Sequence, residues 1–121
     1  MDLGKDVVPM EKKHRNEITA FVIGNNVYRV IGTTHGIKQL KERGVDEYHI
    51  ASTCLAMGSK LNEYNNCGKQ VMLIDEGKNI ATVIAIENYT IVVITVIDKS
   101  NVYAKLNTII ENVNEKRLQY A

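Results

Sequence analysis

The chain has no tryptophan, one phenylalanine, one proline and two cysteines in 121 residues. The last two scarcities each exclude something. With one proline, at Pro9, there is no proline-rich recognition segment or stiff linker. Cys54 and Cys67 are too few for a disulfide framework and lack CxxC spacing or a second ligand pair for zinc, so two free thiols are expected, with a single bridge closing the loop between them as the alternative. Lys+Arg 15 against Asp+Glu 14 leaves a net charge of +1. No global field draws the chain to nucleic acid or to anionic membrane, and any such binding must use a local patch. No apolar run reaches the length of a membrane span, and the start, MDLGKDVVPMEKKHRNE, lacks the apolar region of a signal peptide. The expected location is cytoplasmic, with no membrane partner.

The chain does have aliphatic residues in abundance. Hydrophobic residues make up 45% and charged residues 24% of the sequence, the composition of one soluble globular domain. Residues 1–16 are polar and read as an N-terminal arm; residues 17–121 read as a single α+β domain. EITAFVIGNNVYRVIG places two β-prone runs, Ile18 to Ile23 and Val27 to Ile31, around Gly24-Asn25-Asn26, a hairpin signal. Thr33 and Thr34 can cap a helix carrying Ile37 and Leu40, and Gly44 can end it. Asp46 then caps a second helix through Ile50, Cys54, Leu55 and Met57, stopping at Gly58. Ser59 to Lys69 has the polar composition of a loop.

Three strand-like runs follow, KQVMLID, NIATVIAIE and TIVVITVID, with separators short enough for hairpins. They predict an antiparallel β-meander with Ile84 and Val93 buried. In the middle run both faces are apolar, which suggests a central strand covered on each side. The last segment spaces Val102, Leu106, Ile109 and Val113 by four, three and four residues, with Ile110 alongside. That spacing predicts a C-terminal amphipathic helix. Its apolar surface would pack on the sheet or on its copy in a homodimer. The expected order is β-β-α-α-β-β-β-α.

Chemistry concentrates in HGIKQLKERGV. His35 sits at a helix start, where the macrodipole favours the neutral imidazole that a general base needs. Lys38 lies three residues beyond His35, and Lys41 three beyond Lys38, so they share a helix face suited to a phosphodiester. Arg43 can clamp a phosphate bidentately or serve the helix C-terminus. Thr95 is the one polar residue inside the apolar run VVITVID. His14 and His49 have weaker cases. The ordinary reading of these residues is a solvated charged helix and a strand threonine, and it stands beside the functional one. No P-loop, dinucleotide fingerprint, GxSxG or HExxH motif is present.

HGIKQLKERGVDEYHI followed by VMLIDEGKNIATVIAIENYTIVVITVID resembles a bacterial family of small proteins of unassigned function. Its hallmarks are a histidine opening a helix, an Arg-Gly pair closing it, and a β-meander ending in an aliphatic-Thr-aliphatic strand. Here these are His35, Arg43, Gly44, Val45 and Thr95, within residues 33–98. Relatives are grouped with the barnase, colicin and RelE-like ribonuclease fold. The resemblance therefore implies a toxin-like, metal-independent ribonuclease with no cofactor, RNA as substrate and an antitoxin or immunity protein as partner. On that reading His35, Arg43 and Thr95 are catalytic, and Lys38 and Lys41 bind phosphate. One departure is Gln39, where family members often carry a second arginine; an uncharged amide cannot clamp a phosphate. That departure, with the near-neutral charge, keeps a rival open: a non-enzymatic phage or mobile-element protein that inhibits a host protein or sequesters a ligand.

Overall fold

The computed structural model describes residues 16–113. It opens on the expected hairpin: β1 (Glu17–Ile23) and β2 (Asn26–Gly32) pair antiparallel with Ile23 opposite Asn26. Only Gly24 and Asn25 turn the chain. Gly24 has a φ of 62°, which lets a two-residue turn follow the twist of the strands.

Two capped helices follow. Thr33 accepts the Gly36 N–H at 2.9 Å and starts α1 (Thr34–Glu42). Gly44, at φ 63°, ends it, and the Val45 N–H bonds back to the Leu40 carbonyl. Asp46 accepts the Tyr48 N–H at 3.0 Å and starts α2 (Glu47–Ala56). A third helix, α3 (Lys60–Tyr64), occupies part of the segment expected to be a loop. Its apolar side is the fully buried Leu61 and the half-buried Tyr64, too short a stripe to show as periodicity.

β3 (Val71–Asp75), β4 (Ile80–Glu87) and β5 (Thr90–Ile97) form the antiparallel meander. Ile84 and Val93 are fully buried, as expected. Asn88 and Tyr89, both at positive φ, make the two-residue turn between β4 and β5. A tyrosine rarely adopts that conformation; here Asn65 accepts the Tyr89 N–H at 2.9 Å and the ring packs edge-on to Tyr28.

The whole sheet is mixed, which corrects the purely antiparallel expectation. Six strands run in the order β1-β2-β5-β4-β3-β6, with β2 parallel to β5 and β6 (Ile109–Asn112) parallel to β3. The predicted C-terminal helix is corrected as well. Residues 101–108 form neither helix nor strand, and Ile109 and Ile110 pair with Val71 and Met72 in β6. Asn107, at φ 70°, breaks any helical path. The β-branched pair Ile109-Ile110 then suits the open edge of β3. Ile109 and Val113, which the helical reading placed against the sheet or on a homodimer surface, pack into the core of their own chain. The remainder of the predicted helix, residues 114–121, and the arm before residue 16 lie outside the described residues.

The sheet carries a core on each face. On one, α1, α2 and α3 bury Leu40, Ile50, Cys54, Met57 and Leu61 against Tyr28, Val30, Leu73, Ile84, Ile91, Val93 and Val96. On the other, Met72, Ala81 and Val83 meet Ile74, Ile94 and Ile97, and the chain between β5 and β6 crosses them with Val102 and Ala104 facing down. The central strand β4 is thus covered on both sides, as its apolar faces imply.

Candidate functional site

The site begins where β2 stops. Gly32 is the last β2 residue paired with β5, opposite Val93, so beyond Val93 that edge of β5 has no strand partner among the described residues. α1 takes over. The Thr33 N–H donates to the Val93 carbonyl at 3.0 Å, and the Thr33 hydroxyl lies 3.3 Å from the Ile94 carbonyl. The Gln39 side-chain oxygen accepts the Val96 N–H at 2.9 Å and also the Thr95 hydroxyl. Gly36 permits this approach, since a Cβ there would stand 2.4 Å from the Val93 carbonyl oxygen.

The same stretch of β5 is bulged. Val83 pairs with Thr95 and Ile84 with Val93, so Ile94 is an extra residue. A bulge re-aims the side chains that follow it. Ile94 and Thr95 consequently both line the second face of the sheet, while Val93 and Val96 stay in the helical core.

On that second face lies a cleft of about 380 Å³. Met72, Val83, Ile94 and Ile97 give it an apolar lining; His35, Thr95, Gln70, Thr108, Lys105 and Tyr103 supply its polar groups. His35 is solvent-exposed, in the first turn of α1, where no acidic residue sits. Among the described residues none that lines the cleft is acidic. With one ammonium, one imidazole and the positive end of α1 beside it, the cleft favours an anion.

Two of the residues singled out from the sequence, His35 and Thr95, share this cleft. Three do not reach it. Lys38 and Lys41 are exposed on α1 and do not line the cleft. Arg43 holds Asp98 at 2.6 Å, tying the end of α1 to the end of β5. Gln39, the departure from the resembled pattern, stitches helix to strand. Sequence reasoning missed Tyr103 and Lys105, whose extended segment carries no motif. The available signal was an alternation of period two, Val102 and Ala104 inward, Tyr103 and Lys105 outward.

The model of a domain of unknown function, DUF4258, matches residues 33–98. The chain belongs to this family. No curated protein and no solved structure matches the chain. The DUF4258 match opens on the cap Thr33 and closes on Asp98, the partner of Arg43, so it takes in the whole α1–β5 joint. It stops before Tyr103 and Lys105. The second wall of the cleft therefore comes from chain outside the family match.

A second cavity, of about 410 Å³, lies across the molecule between the start of α2 and the β3–β4 turn, lined by Tyr48, His49, Ser52, Lys78 and Ile80 among others. Behind it the His49 Nε2 stands 3.8 Å from the carboxylate of Asp75 and 3.3 Å from the Thr53 hydroxyl. Asp75 and Thr53 are each only 1% exposed, and Asp75 also accepts the Lys78 N–H at 3.1 Å. A carboxylate so buried needs such partners, and the group fastens α2 to β3. Elsewhere burial pushes the Cys54 thiol up to about 12. Burial, then the bond to Glu111, raises Tyr64 above the usual phenol range. These groups belong to the helical core. Among the described residues no three His, Cys, Asp or Glu side chains cluster so as to hold a metal ion, and no helix is long and apolar enough to cross a membrane.

Proposed function

We propose that the chain is a toxin-like ribonuclease domain that cleaves RNA without a metal, using the cleft of His35. The observation that carries this reading is the composition of that cleft: His35 at the first turn of α1 faces the same 380 Å³ space as Lys105, Thr95 and Thr108, with no acidic residue among them. An imidazole, an ammonium and the Thr108 hydroxyl, with no acidic group among the described lining residues, are groups that suit phosphodiester transesterification. The resemblance to the ribonuclease-toxin grouping supports the same reading.

In the proposed reaction the neutral His35 imidazole takes the proton of a ribose 2′-hydroxyl. The 2′-oxygen attacks the adjacent phosphorus, and the bond to the 5′-oxygen breaks as that oxygen takes a proton from water or from the Lys105 ammonium. The products are a 2′,3′-cyclic phosphate and a 5′-hydroxyl. Lys105 offsets the charge that builds on the phosphorane. Lys38 and Lys41, along the exposed side of α1, attract neighbouring phosphates. Arg43 acts through Asp98 by positioning the helix, and Thr95 acts through Gln39. As a toxin the domain would be held in check by an antitoxin or immunity protein.

A second reading, a binding module without chemistry, is favoured by the commitment of Arg43 to Asp98, which leaves Lys105, among the described residues, the one ammonium or guanidinium group lining the cleft. The two readings separate in one assay. Labelled total RNA is incubated with the full chain and with His35→Ala in the presence of a chelator. Cleavage by the first and not by the second supports the enzyme; intact RNA retained by both supports the module.

A further inference from the structure

We infer that the cleft accepts an unpaired nucleotide, its base stacked on Tyr103 and its phosphate on Lys105, so that single-stranded RNA is the substrate class; the inference rests on the RNA reading above. The residues that carry it lie on the crossing segment between β5 and β6. This segment is anchored at both ends. Ser100 donates its N–H and its hydroxyl to Asn79 at 2.9 Å each, and the Ile109 N–H donates to the Gln70 carbonyl at 2.9 Å. Between the anchors Val102 and Ala104 pack down on the second core, while Tyr103 and Lys105 stay exposed at the rim of the cleft. Two side chains on the same side of extended chain stand about 7 Å apart, a reach that one nucleotide spans from base to phosphate.

Tyr103 is fully exposed, at 102%. An aromatic ring held out on an anchored segment beside an apolar surface gains nothing for folding, and it presents a whole face for stacking. Base–aromatic stacking tolerates any sequence, because every base has a π-face. Beside it the half-buried Ile94 and Ile97 supply an apolar surface for the rest of the base, and Gln70 and Thr108 stand at its polar edge. A base inside a duplex is stacked on its neighbours and cannot enter such a cleft without being extruded. The arrangement therefore selects loops, bulges and single strands.

The test is fluorescence anisotropy in chelator at low salt, with a labelled 2′-O-methyl RNA that has no 2′-hydroxyl to react. It is presented as a single strand and as a blunt duplex to the full chain and to the Tyr103→Ala, Tyr103→Phe and Lys105→Ala variants. The single strand should bind at least about tenfold more tightly than the duplex. Tyr103→Ala should weaken it about 5- to 150-fold, the range of one lost stack, with Tyr103→Phe close to the original. Lys105→Ala should lower the slope of log affinity against log salt by about 0.7, the value for one phosphate of a single strand. Equal binding of the two forms, no binding of either, or a Tyr103→Ala variant indistinguishable from the original would overturn the inference. Single-strand binding through Tyr103 in a protein that cuts no RNA would uphold it while removing the ribonuclease reading. Cutting that is unchanged in kcat and KM by Tyr103→Ala would do the reverse.

Discussion

The side-chain oxygen of Gln39 accepts the backbone N–H of Val96 at 2.9 Å, and through that bond α1 replaces a missing strand along the bulged end of β5. Gln39→Ala should leave the half-buried pairing unmade and cost about 1–3 kcal/mol, the penalty for an unsatisfied buried donor. A urea titration would read this as a lower midpoint at an unchanged m-value.

Gly36→Ala tests the closeness of the same joint. Alanine ordinarily favours a helix over glycine, yet here its methyl would meet the Val93 carbonyl oxygen at 2.4 Å. The backbone cannot give way as a flexible side chain could. A net destabilisation of about 1–3 kcal/mol is expected, the usual cost of overpacking, together with lost activity as α1 carries His35 away from the cleft. A stabilised variant in thermal melts would show that helix and strand are less tightly apposed.

Arg43 and Asp98 are partly exposed, at 32% and 56% of their side chains. Their pair should contribute less than about 1 kcal/mol to stability. If Arg43 only positions α1, Asp98→Asn should impair RNA cleavage about as much as Arg43→Gln. Loss of cleavage with Arg43→Gln alone would return Arg43 to direct contact with the substrate.

What the sequence disclosed about this region follows the range of the interactions. Caps and turns are local, and Thr33, Gly44, Asp46 and Gly24 take the roles their types and positions imply. The parallel pairings of β2 with β5 and of β3 with β6 join residues far apart in the chain, and no window of sequence contains them. Val102, Leu106, Ile109 and Val113 mislead because apolar residues four, three and four apart fit a helical stripe. In the fold they divide among the second core, the solvent and the main core. Of the site, His35 and Thr95 were legible through the helix cap and the interrupted apolar run. Lys105 and Tyr103 were not, since only the crossing of the sheet brings them beside His35.

Cys54 gives a prediction in pH. Its thiol is raised by burial from 9.0 to about 12, so between those values the unfolded chain ionises and the folded chain does not. The folded state then holds the extra proton, and stability falls as pH rises through that window. Tyr64 and Tyr28, also raised by burial, add to the loss at its upper end. Unfolding free energy measured from pH 8 to pH 11 should decline, and Cys54→Ala should flatten the decline. Below pH 9, Cys54 should resist alkylation in the folded protein.

If the His35 cleft cuts RNA through the RNA's own 2′-hydroxyl, the termini of the products will carry the signature of that attack. A single-stranded oligoribonucleotide is digested by the full chain in chelator and its fragments are weighed by mass spectrometry, alongside a copy with a 2′-deoxy sugar at the cleaved position. The account expects 2′,3′-cyclic phosphate and 5′-hydroxyl ends from the first, an intact second, and no fragments of either with His35→Ala. Fragments bearing 5′-phosphate ends, equal cleavage of the deoxy copy, or undiminished cleavage by His35→Ala would contradict it.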